Sequence, residues 1–142
     1  MKYMLMYWDD DAADTQVQHE EAFLAELRTW VDGMNDRGIR LYGGPLRAAE
    51  GAKLLRVRDG ETVLSDGPFA ETKEQIGGYD VIECPDLAAA LEVAAAHPLA
   101  RMCTVEVRPV DLLPWEPGAQ YPSAGAGARA GDHCRLGPAL SG

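Results

Sequence analysis

The chain has 142 residues, 46% of them hydrophobic and 25% charged, with a net charge of −10 and three cysteines. That length suits one domain with its own core, and no apolar run reaches the roughly 18 residues of a membrane span. The acidic balance without a basic stripe argues against direct nucleic-acid binding, and the widely spaced Cys84, Cys103 and Cys134 are not a disulfide framework.

Lys2 to Trp8 reads as the first strand, with Tyr3, Leu5 and Tyr7 on one face and Met4, Met6 and Trp8 on the other. Both faces are apolar, which predicts a central strand covered on both sides. The apolar part of MKYMLMYWDDD is too short for a signal peptide and runs straight into acidic residues, so a cytoplasmic protein is expected. Asp14 or Thr15 is placed to cap a helix that runs to Arg37. Phe23, Leu27, Trp30 and Met34 recur at helical spacing, with Leu24 and Val31 widening the stripe. Gly38 supplies the stop.

Ile39 to Tyr42 reads as a short strand closed by Gly43, Gly44 and Pro45. Lys53–Arg58 and Glu61–Asp66 form a hairpin around Asp59-Gly60, the dipeptide of a type I′ turn. A two-residue loop puts Arg58 opposite Glu61 and Leu55 opposite Leu64. Glu71 to Gln75 reads as one helical turn ended by Gly77-Gly78. A strand from Gly78 to Cys84 comes next, then a helix capped by Asp86 and ended by Pro98. Met102 to Arg108 is the last strand, with Cys103, Val105 and Val107 on one face. The stretch from 113 to 142 is rich in Gly, Ala and Pro and lacks a period, so a flexible tail is expected after a domain spanning 1–112.

Without the hairpin the order is βαββαβ, an α+β ferredoxin-like arrangement. Its helices would cover one sheet face. The other face keeps enough apolar surface to predict a homodimer.

One long stretch, DGPFAETKEQIGGYDVIE and then PDLAAALEVAAAHP, resembles the DGPF subgroup of the YCII-related proteins. KYMLMYW, LYGGPL, VRDGET and VEVRPV extend the likeness over Met1 to Val110. The resemblance implies a dimeric α+β barrel. Some members of that family process small ring compounds, as muconolactone dehalogenases do, and DGPF proteins are often encoded beside extracytoplasmic-function sigma factors. The family is associated with a His–Asp pair, the His in the first helix and the Asp before a Pro after the second. Here those places hold residues near Leu27 and the dipeptide His97-Pro98, so the pair is absent in that form.

These readings lead to two functional expectations. One is a binder or cofactor-free enzyme working by proton transfer or elimination on a small cyclic metabolite. Asp66 or His97 would be its base or acid. Tyr7, Tyr42, Gly43, Phe69, Glu71 and Lys73 would line its pocket, with Lys73 holding a carboxylate. The other is a non-catalytic partner of a sigma factor, suggested by the acidic face. Each residue also has a plainer reading. Asp66 to Phe69 is a well-built turn, Glu71 to Gln75 a solvated charge run, and Tyr42 to Gly44 a turn that needs glycine. Tyr7 can be core or dimer interface, and His97 a protonated residue at a helix C-terminus. His19 lacks a partner at metal-ligand spacing on its helix, and no metal or cofactor is expected.

Overall fold

The computed structural model describes residues 1–10, 20–47, 51–66 and 74–120. In chain order the elements are β1 (Lys2–Asp10), α1 (Glu21–Asp36), β2 (Arg40–Pro45), β3 (Lys53–Arg58), β4 (Glu61–Asp66), β5 (Glu74–Glu83), α2 (Leu87–Ala95) and β6 (Thr104–Val110). A short 3₁₀ turn, Pro98–Arg101, lies between α2 and β6. The chain forms two compact units: Met1–Gly51 with Thr72–Val110, and Ala52–Glu71 with Asp111–Gly142. No helix among the described residues is long and apolar enough to cross a membrane.

The first unit carries a four-stranded sheet in the order β2-β5-β1-β6, every neighbouring pair antiparallel. That is the βαββαβ order expected once the hairpin is set aside. Of the two apolar faces of β1, the one carrying Tyr3, Leu5 and Tyr7 meets the helices. Tyr3, Leu5 and Tyr7 share a core with Trp30 and Met34 of α1, Ala90, Val93 and Ala94 of α2, and Ile82 of β5. Leu5 and Ile82 are completely buried, each contributing roughly 1.5–3 kcal/mol relative to exposure. On the opposite face Met6 and Val81 are buried while Met4 and Trp8 are half-buried.

Helix α1 ends as Gly38 dictates. This residue takes φ +68, its N–H bonds the Asn35 carbonyl, and the Ile39 N–H bonds that of Met34. These are the paired bonds of a Schellman cap. The start of α1 differs from expectation. It begins at Glu21, with Glu20 as an N-cap that makes no side-chain cap bond; Asp14 and Thr15 lie outside the described residues. Within the helix, Phe23, Trp30 and Met34 are buried, while Leu24 is exposed. Helix α2 begins where expected, its first turn held by Asp86 Oδ1 accepting from the Ala89 N–H at 2.9 Å.

Strand β5 is longer than expected. Glu74 and Gln75 belong to it and pair with Asp10 and Asp9 of β1, so no helical turn reaches them. The ladder to β1 overrides the local helical preference of that charged run. A register shift lies between Tyr7 and Trp8, leaving Gly77 as the extra residue on β5. Gly43 and Gly44 also lie inside a strand, β2, rather than in a turn.

The second unit contains the hairpin β3–β4 with the predicted register, Arg58 opposite Glu61 and Leu55 opposite Leu64. Asp59 (φ 52) and Gly60 (φ 77) take the positive φ values of a type I′ turn. Residues 113–119 make two successive turns, closed by Glu116 N–H to the Leu113 carbonyl and Ala119 N–H to that of Glu116.

Candidate functional site

The helix-facing side of the sheet holds a carboxylate in the middle of the core. Asp80 is only 5% exposed. It sits on β5 opposite Leu5 of β1 and Gly43 of β2. An ionised group there needs partners, because its desolvation would otherwise cost several kcal/mol. Three elements supply them. The Tyr7 hydroxyl of β1 donates to Asp80 Oδ2 at 2.5 Å. Arg40 Nε, from the start of β2, donates to Oδ1 at 2.7 Å. His97, just after α2, places Nε2 3.9 Å from Oδ2.

His97 is buried, with 2% exposure. Its ring lies against Tyr7 at 4.5 Å between centroids and edge-on to Trp30 at the same separation. Trp30 is itself fixed by its indole N–H donating to the Val93 carbonyl at 3.1 Å. The backbone sets the tautomer. His97 Nδ1 accepts from the Leu99 N–H at 3.0 Å, capping the 3₁₀ turn that Pro98 opens. A neutral ring that accepts at Nδ1 carries its proton on Nε2. The expected protonated histidine at a helix C-terminus is therefore replaced by a neutral one. Burial, and then the nearby Arg40 charge, hold its pKa down at about 4. Burial also pushes the Tyr7 phenol well above its usual range, with the Asp80 charge and hydrogen bond adding to the effect.

The His97 shift has a measurable consequence. In the unfolded chain the imidazole takes up its proton near 6.5, but in the folded protein only near 4. The unfolded state thus binds more protons between these values. Stability is undiminished above about pH 6.5 and falls as pH drops toward 4. Urea unfolding at pH 7.5 and pH 4.5 should show His97 contributing roughly 2–3 kcal/mol to the loss. His97→Gln should be less pH-sensitive by that amount; equal slopes would contradict a buried neutral ring.

Beside this cluster lies a cleft of about 320 Å³ between α1, the end of α2 and the 3₁₀ turn. Trp30, His97 and Pro98 form its walls, and an ion pair between Arg101 and Glu26 stands at its edge. In this arrangement both nitrogens of His97 are committed, one as acceptor and one as proton carrier. The ring can therefore donate through Nε2–H and has no free lone pair with which to act as a base.

Of the residues expected from sequence, the structure brings Tyr7, His97 and Gly43 together. Gly43 lies against Asp80, and a Cβ there would come within 2.8 Å of the Asp80 Cα. Tyr42 is 59% exposed and points its ring at Tyr79 across the second face, 6.5 Å between centroids. Asp66 is in the hairpin unit, exposed and paired with Lys53. Phe69, Glu71 and Lys73 lie outside the described residues. Sequence reasoning missed Asp80 and Arg40. A signal was present for Asp80, since it alternates in phase with Ile82 and Cys84, two residues suited to a buried face. Among the described residues no group of three His, Cys, Asp or Glu side chains is placed to hold a metal ion.

Residues 1–116 match the model of the YCII-related domain. An uncharacterized protein of Rhizobium meliloti (strain 1021) is 46% identical over 69 residues, which cover 47% of this chain and 54% of that one. The chain thus spans about half the length of this curated relative. Among solved structures, the 5-chloro-2-hydroxyhydroquinone dehydrochlorinase of Burkholderia phenoliruptrix AC1100, in complex with 2,5-dihydroxybenzoquinone, aligns with a TM-score of 0.48 and 15% identity. That alignment covers 78% of this chain and 94% of the other.

Proposed function

The chain belongs to the YCII-related family, and we propose on that footing that it is a homodimeric protein that binds a small cyclic metabolite and works on it without a cofactor. The observation that carries this reading is the buried group Tyr7–Asp80–Arg40–His97, of which His97 lines a cleft of monocyclic size. Such a network is a poor device for stability, because well-packed apolar residues would stabilise the core as well or better. It is a good device for fixing one donor. Asp80 accepts from Tyr7 and Arg40, Leu99 fixes the tautomer, and the rings of Tyr7 and Trp30 hold the plane of His97. The result is a neutral imidazole whose Nε2–H can stabilise negative charge developing on a ring oxygen, as in an elimination or a proton transfer.

His97→Gln is expected to lower turnover about 10²–10³-fold, the range for loss of one preorganised donor. Circular dichroism at neutral pH should remain that of the wild type. The measurement is a screen of hydroxylated rings and lactones by thermal shift, with turnover assays on those that bind. If the His97→Gln protein turns over such a ligand as fast as the wild type, the donor role is wrong. The dimer belongs to the same proposal, with Met4, Trp8 and Tyr42 on the sheet face it would use; light scattering on the purified chain tests it. No feature of the described residues favours the alternative of a sigma-factor partner.

A further inference from the structure

Each wall of the cleft beside His97 carries a ring and, one turn away, a charge. On α1, Glu26 precedes Trp30 by four residues, so the two share one face of the helix. Across from them, the 3₁₀ turn Pro98–Arg101 has His97 as its cap and Arg101 as its last residue. Two backbone bonds close that turn, Ala100 N–H to the His97 carbonyl and Met102 N–H to the Leu99 carbonyl, both at 3.0 Å. The backbone of Arg101 is thereby fixed relative to the ring of His97. Glu26 and Arg101 both line the cleft and pair with each other at its edge. The other polar side chains of the walls are engaged within the chain. The Trp30 indole N–H goes to the Val93 carbonyl, the Thr29 hydroxyl donates to the Ala25 carbonyl at 3.0 Å, and His97 Nδ1 accepts from the Leu99 N–H. Among the described residues, the lining side-chain donors left to a ligand are His97 Nε2–H and those of Arg101. A guanidinium has five N–H groups, and Glu26 takes one hydrogen bond, from Nη2. Both partners are more than half exposed, so their pairing contributes little to stability.

We propose that the ligand of this cleft is a ring bearing a carboxylate, and that Arg101 is the residue that selects it. The assignment rests on the ring-ligand reading above and adds the ligand's charge. A carboxylate can take the guanidinium fork with two parallel bonds, where Glu26 makes one. The ligand's anion therefore replaces Glu26, whose side chain is free to turn into water. An uncharged ring has nothing with which to displace it. Glu26 thus holds Arg101 at the edge of the cleft and competes with the ligand's carboxylate for it.

Calorimetry on the whole chain at neutral pH tests this with two probes that differ by one group, catechol and 3,4-dihydroxybenzoate. Wild type should bind the benzoate at least about tenfold more tightly than catechol, as expected of hydrogen bonds between charged partners. Arg101→Gln should erase that preference and leave catechol binding unchanged. Glu26→Gln should tighten benzoate binding about two- to fivefold, the strength of an exposed ion pair, again with catechol unchanged. A pair that merely ties the 3₁₀ turn to α1 predicts no gain in benzoate affinity for Glu26→Gln. That result would overturn the assignment alone, as would equal wild-type affinities for the two probes or a benzoate preference that survives in Arg101→Gln. Absence of wild-type binding to both probes would overturn the ring-ligand reading and take the assignment with it.

Discussion

Asp80→Ala is expected to destabilise the protein by about 3–5 kcal/mol, the range for removing one partner of a buried ion pair. The loss is larger than that of the methylene and carboxyl atoms alone. Arg40 Nε would be left in a site where its side chain is only 15% exposed, with its counter-charge gone. The Tyr7 hydroxyl would lose its acceptor at the same time. Asp80→Asn should retain part of the stability, since an amide oxygen can still accept one of the two bonds, but it leaves the guanidinium uncompensated. Urea denaturation at pH 7.5 reads both. A cost under about 1 kcal/mol for Asp80→Ala would mean that the buried network contributes little, and that Arg40 finds water instead.

Gly43→Ala should cost about 3 kcal/mol or more, at or beyond the upper end of the usual cost of overpacking. Most overpacked sites relax by moving side chains. Here a Cβ would meet backbone atoms of the neighbouring strand, the Tyr79 carbonyl oxygen at 2.5 Å and the Asp80 Cα at 2.8 Å, as well as Asp80 Oδ1. Relief would require pulling β2 away from β5, which breaks the Arg40–Asp80 pair as well. Gly44 is the matched control, because a Cβ there meets nothing within 4 Å. Gly44→Ala should therefore change stability by no more than about 0.5–1 kcal/mol, in the stabilising direction set by backbone entropy. Equal melting temperatures for the two variants would show that the close strand approach at Gly43 is not rigid.

The contrast between these adjacent glycines shows where sequence reasoning stops. Both look like residues of a turn. Neither has a positive φ, and both lie in β2; only one is required, and its requirement comes from β5, three strands further along the chain. Asp80 makes the same point. Its alternation with Ile82 and Cys84 is visible in the sequence, but its partners come from positions 7, 40 and 97. His97 stands out by its place before Pro98, yet that place suggests the wrong charge state. The rings and backbone N–H that keep it neutral come from other turns of the chain. The outcome for Glu74 and Gln75 is decided similarly: pairing with β1 extends the strand through a run whose local preference is helical.

The sequence by itself determined the βαββαβ order, the hairpin and its register, the caps at Gly38 and Asp86, and which residues of β1 share a face; that the Tyr3, Leu5 and Tyr7 face is the one that meets the helices came only with the packed core. Each depends on short-range physics: side-chain periodicity, the φ freedom of glycine, and oxygen atoms within reach of a free N–H. Only the tertiary structure decided that Tyr7, Arg40, Asp80 and His97 form one buried group. The tertiary packing brings those residues together across as many as 90 positions of sequence, from Tyr7 to His97, and the desolvation that then forces them to pair exists only once the core has closed.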